Sequence, residues 1–480
     1  MIRFLLNEQD VTLESCAPDL SVLDYLRTIA VQRGTKEGCA SGDCGACTVV
    51  VAEPSGDGLS YTSVNSCITF VGTLHGKQLL TVEHLEADGR LHPVQQAMVD
   101  FHGSQCGFCT PGFIMSMFAL YKRDRQPTRA EVERSLSGNL CRCTGYRPII
   151  DAALSLAGAS VEDQHALREE AVSTRLKKIR ADHPSGSLEC GGRRFFLPAT
   201  CDELAALLQA YPQAQLLAGG TDLALSVTQQ LKQPAVLIYT GGIAELSIIE
   251  ERNNCLLVGA AVSYTRLESA LKQHLPAFGH LLDRLGSLQV RNQGTLAGNL
   301  ANASPIGDTP PVLLALDAKL HIRSGNHCEV IGIDDFFTGY RQTALPANGF
   351  IEQIQIPVPD DNLFKVYKVS KRFDDDISAV CAAFNITLSE GVVTAARLGF
   401  GGMAATPARA LNAEQALIGR PFDEQGILAA QDALERDFSP IDDVRASAGY
   451  RLEVARNLLL RAVLEQDQLS DEPLEVAHYA

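Results

Sequence analysis

The sequence predicts a multidomain α+β protein with a small β-rich domain, an all-α helical domain, an α+β domain and a C-terminal α+β domain. Three observations support this. Eight of the fourteen cysteines form two quartets between residues 39 and 143, apolar spacing turns helical near residue 92, and two polar, glycine-rich stretches follow residue 215. The 480 residues allow about three domains of roughly 150 residues each. We expect domains over 1–86, 87–160, 190–361 and 362–480, with a surface linker over 161–189.

The first domain combines strands with one helix. Ile2, Phe4 and Leu6 alternate as strand residues do, residues 11–13 begin a return strand, and residues 48–52 form another. Apolar residues at helical spacing over 22–29 predict a helix that starts at Asp19 or Ser21. This order predicts a β-grasp fold of the ferredoxin type.

The first cysteine quartet lies in the loop after this helix and beyond the next strand. Its spacing, C-x4-C-x2-C and then a fourth cysteine, is the plant-type pattern for a 2Fe-2S cluster. Glycines between the cysteines let the backbone wrap the cluster and aim N–H groups at its sulfurs. The predicted ligands are Cys39, Cys44, Cys47 and Cys67.

The second quartet lies in a helical region. It reads C-x2-C and, after 31 residues, C-x-C, with both motifs beside predicted helix ends such as Thr110 with Pro111 at the first helical position. Helix amides and dipoles favour a negatively charged cluster there. We expect a second 2Fe-2S cluster held by Cys106, Cys109, Cys141 and Cys143.

Cysteines in such numbers also serve as ligands of structural zinc or form disulfides. Structural zinc accepts C-x2-C and C-x-C, although the glycine-rich first quartet is not a usual zinc motif. Four disulfides would need an oxidising compartment, whereas the start MIRFLLNEQD lacks the features of a signal peptide and indicates a cytoplasmic protein. The remaining six cysteines have no ligand spacing, and we expect them to be small buried hydrophobic residues.

Composition excludes two classes of partner. The net charge of −16 argues against nucleic acid, because phosphate binding needs clustered Lys and Arg. No apolar run approaches the roughly twenty residues of a membrane span, so we expect no membrane partner.

Two polar stretches predict a dinucleotide site. LLAGGTDLAL over 216–225 reads as a strand, a tight turn and exposed amides, which fits a phosphate cradle. RNQGTLAGNLANASPIGDTPP over 291–311 is too rich in small and amide residues to be core. Because no G-x-G-x-x-G follows a strand, a Rossmann site is not expected. The C-terminal domain should contain strands over 380–388 and 392–400, followed by helices from residue 413.

The order of these motifs resembles the xanthine dehydrogenase family of molybdenum hydroxylases along nearly the whole chain. The residues that carry the resemblance are GTKEGCASGDCGACTV, HPVQQAMVDFHGSQCGFCTPG, GNLCRCTGYRPI, AGGTDLAL, GNLANASPIGD and KRFDDDISAV. The family's order is two cluster domains, a flavin domain and then a molybdopterin domain, and this chain stops after the flavin part. It therefore resembles the small subunit of bacterial two-subunit xanthine dehydrogenases.

The resemblance implies FAD as a further cofactor, NAD as electron acceptor and a role for the acidic loop 374–376 near the nicotinamide. It places Gln105 and Cys143 close to the partner's pterin. Leu285 aligns where the family often has an aromatic residue on the flavin ring, and Lys368 lies near that ring. The other implied FAD residues are Leu217, Ala218, Gly219, Gly220, Thr221, Asp222, Leu223, Thr295, Gly298, Asn299, Ser304 and Asp308.

The resemblance also implies a function. Electrons from hypoxanthine or xanthine hydroxylation on a large molybdopterin-binding partner subunit would pass through both clusters to FAD and NAD⁺, in a heterotetramer of two small and two large subunits. No catalytic acid or base is expected on this chain. Two alternatives stay open: the same role in a hydroxylase for aldehydes or other N-heterocycles, and a redox carrier without a catalytic partner.

Overall fold

The computed structural model describes residues 1–56, 58–124, 126–158, 163–360 and 362–467. These residues form two compact units. The first contains Met1–Ser247, Ala261–Arg266 and Gly286–Thr295, and the second contains the described residues of Ile248–Ala260, Leu267–Leu285 and Leu296–Ala480.

The first unit opens with a five-stranded sheet in the order β2-β1-β5-β3-β4. β1 pairs in parallel with β5 and antiparallel with β2, which is the mixed pairing of the predicted β-grasp. The predicted helix is short: α1 (Val22–Asp24) is capped by Ser21 and continues as one π-helical turn. The strands are β1 (Ile2–Leu6), β2 (Gln9–Leu13), β3 (Thr48–Ser55), β4 (Gly58–Asn65) and β5 (Gln78–Leu80).

Four helices follow, as the change of apolar spacing predicts. Pro93 and Pro111 each lie in the first turn of a helix, where the missing N–H needs no partner. The second of these helices is buried over most of its length and forms the centre of this helical domain. The helices are α2 (Pro93–Asp100), α3 (Thr110–Arg123), α4 (Arg129–Leu136) and α5 (Arg147–Leu154).

The segment predicted as a linker, 161–189, is mostly an ordered helix, α6 (Gln164–Asp182), which corrects that expectation. Residues 161 and 162 lie outside the described residues. The charges that suggested a solvated linker instead pair with the β-grasp sheet, as in Arg175–Asp10 at 2.9 Å and Arg180–Glu53 at 2.9 Å. Segment composition alone could not reveal these partners, which lie more than 100 residues away in sequence.

The middle of the chain supplies the rest of the first unit and the start of the second. In the first unit a four-stranded sheet has the order β6-β7-β9-β8. Its strands are β6 (Gly186–Cys190), β7 (Arg193–Leu197), β8 (Gln215–Leu217) and β9 (Val236–Tyr239). The helices of the middle region are α7 (Cys201–Ala210), α8 (Leu223–Thr228), α9 (Tyr264–His274), α10 (Pro276–Asp283), α11 (Leu288–Arg291), α12 (Leu296–Asn302) and α13 (Thr309–Ala315).

The second unit contains two larger sheets. One has the order β10-β11-β16-β12-β13, from β10 (Ile249–Arg252), β11 (Cys255–Gly259), β12 (Lys319–Ser324), β13 (His327–Gly332) and β16 (Gly349–Pro357), with β14 (Phe337–Gly339) and β15 (Gln342–Thr343) as a separate hairpin. The other has the order β17-β18-β19-β20 and includes both predicted C-terminal strands. Its elements are β17 (Leu363–Val369), β18 (Val380–Ser389), β19 (Val392–Gly401), β20 (Ala408–Arg409), α14 (Leu411–Leu417), α15 (Leu428–Asp437) and α16 (Ala448–Asp467).

These elements confirm the predicted multidomain α+β class. The C-terminal sheet and its three helices share one core around Phe384 and Phe400, both fully buried. Within the described residues, no helix combines the length and apolar character needed to cross a membrane.

Candidate functional site

Three cysteines of the first quartet lie in a loop that opens with Gly38 and reaches β3, and the fourth, Cys67, follows β4. The Cys47 and Cys67 sulfurs are 3.3 Å apart and both residues are buried. Cys39 Sγ accepts hydrogen bonds from the backbone N–H groups of Ser41 and Cys44, each at 3.4 Å. The Cys44 thiol, followed by these Ser41 and Cys44 contacts, lowers the pKa of Cys39 to about 4, which favours the thiolate that binds metal.

The backbone of this loop depends on glycine at position 45. Gly45 has φ +67°, and a Cβ there would overlap the carbonyl oxygen of Gly138. The positive φ and the close approach are both possible only without a side chain. The loop and the segment before Cys141 are therefore in direct contact.

The second quartet lies where α3 and α5 begin. The Cys106 and Cys143 sulfurs are 3.3 Å apart, and burial together with the neighbouring Cys141 thiol raises the pKa of Cys109 to about 12. Burial of Cys141 raises its thiol pKa, but hydrogen bonding from Thr144 outweighs this effect and the net result is a pKa of about 7. The Cys141 N–H donates to the Tyr146 hydroxyl at 3.0 Å, which fixes the cysteine backbone.

The cysteines meet in pairs. Within the described ranges, no three His, Cys, Asp or Glu side chains converge as ligands of a single metal ion. A 2Fe-2S cluster does not need such a group, because each of its irons takes two protein ligands and the inorganic sulfides supply the rest. One cluster would take the pairs Cys39/Cys44 and Cys47/Cys67, and the other the pairs Cys106/Cys143 and Cys109/Cys141. This paired arrangement fits two 2Fe-2S clusters better than two zinc ions.

The two quartets are neighbours in the first unit. The Leu140 N–H, next to Cys141, donates to the Cys44 carbonyl at 3.0 Å. Phe108, within the C-x2-C motif, lies 3.7 Å from the position that a Cβ on Gly38 would take. The sequence places these residues about 100 and 70 positions apart, so only the fold brings the two loops together.

The predicted FAD residues fall in both units, and the first unit holds residues 217–223 and 295. The predicted strand and tight turn are present: β8 ends at Leu217 and α8 begins at Leu223. A Cβ on Gly219 would overlap the Gln293 carbonyl oxygen, and Gly220 has φ +73°. The two glycine-rich stretches therefore pack backbone to backbone here.

The second unit holds the remaining predicted FAD residues: Leu285, Gly298, Asn299, Ser304, Asp308 and Lys368. Asp308 and Lys368 are buried and form an ion pair at 2.5 Å. Ser378, which the sequence analysis missed, donates to Asp308 at 2.6 Å and accepts from Lys368 at 3.0 Å. Asp308 and Lys368 are thus engaged with each other rather than presented as two separate ligand contacts.

The acidic loop 374–376 contains one carboxylate that neighbouring groups of this chain engage. Asp376 is half-buried, accepts from the Arg372 and Ile377 N–H groups at 3.0 and 2.9 Å, and pairs with Arg445 at 3.2 Å. Its negative charge is therefore balanced by Arg445 and by the N–H groups of its own loop. Arg284, also missed, lies 4.4 Å from the centroid of the Phe373 ring and donates to the Phe373 carbonyl at 2.9 Å.

The six cysteines outside the quartets divide into three groups, which corrects part of their predicted burial. Cys201 and Cys381 are buried, and burial raises the pKa of the Cys381 thiol. Cys190 and Cys328 are exposed because they lie on outward faces of strands. The remaining two, Cys16 and Cys255, are partly buried.

Comparison with protein families finds four matching models. Residues 4–72 match a 2Fe-2S iron-sulfur cluster binding domain, and residues 81–154 match a 2Fe-2S binding domain. Residues 189–359 match the FAD binding domain in molybdopterin dehydrogenase, and residues 365–466 match the CO dehydrogenase flavoprotein C-terminal domain.

Individual proteins agree with these models. Xanthine dehydrogenase of Emericella nidulans is 36% identical over 91% of this chain and 36% of its own length, and that of Blastobotrys adeninivorans is 31% identical over 98% and 41%. The chain thus spans well under half of the curated relatives it matches. Carbon monoxide dehydrogenase from Hydrogenophaga pseudoflava (TM-score 0.54, 29% identity) and quinoline 2-oxidoreductase from Pseudomonas putida 86 (0.53, 27%) cover 56% and 57% of this chain and 95% of their own.

Proposed function

Because this chain belongs to the molybdenum hydroxylase family and carries its iron-sulfur and FAD electron-transfer domains, we propose that it is the small subunit of a xanthine dehydrogenase. Electrons would come from hypoxanthine or xanthine hydroxylation on a large molybdopterin-binding subunit and leave as hydride to NAD⁺. The expected assembly is a cytoplasmic heterotetramer of two small and two large subunits. The curated relatives named xanthine dehydrogenase support the choice of purine.

The observation that carries the proposal is the contact between the two cysteine quartets. Cys39, Cys44, Cys47 and Cys67 would hold one 2Fe-2S cluster, and Cys106, Cys109, Cys141 and Cys143 the other. Such clusters supply one-electron transfer. The two cysteine loops are joined by a hydrogen bond of 3.0 Å from the Leu140 N–H to the Cys44 carbonyl. A chain with a single isolated redox centre would need no such link.

The partner surface is proposed to surround the second quartet. Gln105, Cys106, Arg142 and Cys143 are exposed. Large apolar side chains beside them are exposed as well: Phe108 at 48%, Leu140 at 53% and Tyr146 at 37%. An apolar patch around metal-binding cysteines is a surface that a second protein subunit would cover, because it is too costly to leave in water.

The flavin end of the chain is proposed to use both polar stretches. Backbone amides of Ala218, Gly219, Gly220, Thr221 and Asp222 would hold the pyrophosphate, with Thr295, Gly298, Asn299, Ser304 and Asp308 toward the ribityl and adenine groups. Lys368 would act through its ion pair with Asp308, which keeps an ammonium group at a fixed buried position. Leu285 would pack on the ring as an aliphatic side chain.

The proposal is tested by purifying the native complex through a tag on this chain. We expect four irons and one FAD per chain, a co-purifying large subunit with about one molybdenum, and NAD⁺ reduction driven by xanthine. Iron and flavin without a molybdenum-bearing partner under gentle purification would contradict the subunit role and favour an independent redox carrier.

A second candidate is the same electron-transfer role with another substrate. Quinoline 2-oxidoreductase, a structural neighbour, supports an N-heterocycle hydroxylase, and aldehydes are the remaining class. The same complex assayed with xanthine, an aldehyde and quinoline distinguishes these choices. Turnover of quinoline or an aldehyde with none of xanthine would move the assignment to that class while leaving the electron-transfer role intact.

A further inference from the structure

A buried group of four polar side chains lies at the junction of the two quartets. We name Thr48, Ser116, Asn139 and Gln289 the amide hub. Each is at most 2% exposed, and they come from four separate segments of the first unit: β3, α3, the loop before Cys141, and α11. The predicted cluster ligands and flavin residues leave these four side chains without an assigned role.

The hydrogen bonds of the hub are mutually consistent. Gln289 Nε2 donates to Asn139 Oδ1 at 3.0 Å and contacts the Thr48 and Ser116 hydroxyl oxygens at 3.2 and 3.3 Å. The Ser116 hydroxyl also donates to Asn139 Oδ1, at 2.7 Å. Asn139 Nδ2 donates to the Gly45 carbonyl at 3.0 Å, and so does the Thr48 hydroxyl at 2.7 Å.

The orientation of the Gln289 amide follows from its neighbours. Its Oε1 atom is buried without a hydrogen-bond partner among the described residues. Turning the amide over would place Oε1 against Asn139 Oδ1, which is an acceptor and cannot donate. The hub therefore has one arrangement, in which one buried acceptor is left without a hydrogen bond.

The hub acts on both cysteine loops. Gly45 lies between Cys44 and Cys47, and its carbonyl accepts two of the hub's hydrogen bonds. Asn139 is followed directly by Leu140, whose N–H donates to the Cys44 carbonyl, and then by Cys141. Since both loops share these partners, a shift of the Gln289 amide would move one loop relative to the other.

We propose that Gln289 and Asn139 are positioning residues that set the separation and relative orientation of the two predicted 2Fe-2S clusters. The proposal rests on the proposed function, because it requires that both quartets hold clusters. An all-apolar junction could supply the same burial, but directional hydrogen bonds fix one relative placement of the four segments. Gln289 thereby connects the cluster spacing to the segment that continues into the predicted flavin stretch.

The test uses Gln289→Met and Asn139→Asp in the complete native complex. In Q289M, Asn139 Oδ1 still accepts from Ser116 and Thr48 still donates to Gly45, so no further buried group is left unpaired and the chain should fold. Gln78→Met is the matched control. Gln78 is a buried glutamine of β5 whose Nε2 donates to the Asn7 carbonyl at 2.6 Å and not to a cysteine loop.

The readouts are iron content, the spin–spin splitting between the two reduced clusters in electron paramagnetic resonance, and the rate of inter-cluster electron transfer. We expect Q289M and N139D to keep four irons per chain, change the splitting and transfer electrons severalfold more slowly. Q78M should match the wild type. Dipolar splitting falls with the cube of the distance between the two clusters, so it reports their separation. A loss of stability that leaves this separation unchanged would not alter the splitting.

Each outcome is decisive. A wild-type protein without two distinct 2Fe-2S signals would contradict the proposed function before any variant is compared. Two normal signals with splitting unchanged in Q289M and N139D would overturn the positioning role while leaving the function intact. Loss of iron from both variants would also overturn it, because the hub would then serve folding rather than placement.

Discussion

The two cysteine quartets differ in how their own chain covers them. Cys47 and Cys67 of the first quartet are buried, whereas Cys106 and Cys143 of the second are exposed. In the first quartet, Asn65 closes the loop by donating from Nδ2 to the Gly42 carbonyl at 2.7 Å, and it is itself fully buried. The comparison indicates that this chain encloses the first quartet more than the second.

Serine substitutions of one cysteine in each quartet should have the largest effects on iron content and stability. Cys47→Ser replaces a buried thiol in the core of the β-grasp with a hydroxyl, so we expect loss of half the iron and a destabilisation of about 1–3 kcal/mol. Cys143→Ser should also lose half the iron, with little change in the melting temperature of the iron-free protein. Equal melting temperatures for the two iron-free variants would contradict the difference in enclosure.

The second prediction concerns the pH dependence of folding stability around α6, which contacts both α3 and the β-grasp sheet. Asp163 at the start of α6 pairs with Lys122 of α3 at 2.6 Å, and His165 packs edge-on against Phe118. Burial lowers the pKa of His165 to about 4, so the folded state binds a proton less readily than the unfolded chain. Stability is therefore full above about pH 6.5 and falls, by up to about 3 kcal/mol, as the pH drops toward 4.

The measurement is the urea midpoint of the wild type and of His165→Phe between pH 7.5 and 4. We expect the decline between pH 6.5 and 4 to be smaller in H165F, with exposed His102→Gln as the control. Burial raises the pKa of Asp163, but hydrogen bonds from His92 and Lys122 and the ion pair with Lys122 outweigh this effect and lower it. A further loss of folding stability is therefore expected below pH 4. An identical slope in H165F would show that other groups cause the acid sensitivity.

Two glycines with positive φ, one in each cysteine quartet, should differ in how much stability is lost when alanine replaces them. Gly45→Ala meets both backbone strain and the Gly138 carbonyl, and we expect a destabilisation of about 2–3 kcal/mol. Gly107→Ala, in the second quartet, has φ +82° but nothing within 4 Å of its Cβ, so backbone strain of about 1 kcal/mol remains. Chemical denaturation of the iron-free proteins measures both, and a larger loss for G107A would contradict the tighter packing of the first loop.

The fourth prediction has the smallest expected effect. Tyr146→Phe removes the hydroxyl that accepts from the Cys141 N–H at 3.0 Å but keeps the ring contact with Phe113. We expect a loss of about 1 kcal/mol and a change in the spectrum of the second cluster only. A change in the first cluster's spectrum instead would show that Tyr146 acts through the link between the loops.

Much of the fold could be predicted because the signals are local. The alternation in β1, the prolines that begin α2 and α3, and the strands β18 and β19 each depend on neighbouring residues, and all are present. The linker prediction was wrong because its evidence was also local. A charged segment without large apolar residues looks solvated until its partners, such as Asp10 and Glu53, are known.

The candidate sites divide in the same way. Cysteine spacing and the two glycine-rich stretches identify the kinds of cofactor, because ligand type and backbone freedom are properties of single residues and short motifs. The partners Ser378 of Asp308 and Arg445 of Asp376 carried no sequence signal, since each lies about 70 residues from the group it contacts.

Sequence alone identifies the cysteines whose spacing predicts iron binding, several of the strands and helices, and the class of the chain as an α+β protein of several domains. Only the tertiary structure decided which quartet is enclosed and which is exposed, and which amides meet between them. The physical reason is that burial and hydrogen-bond partnership belong to pairs of distant segments, and the free energy of packing selects those pairs only when the whole unit folds.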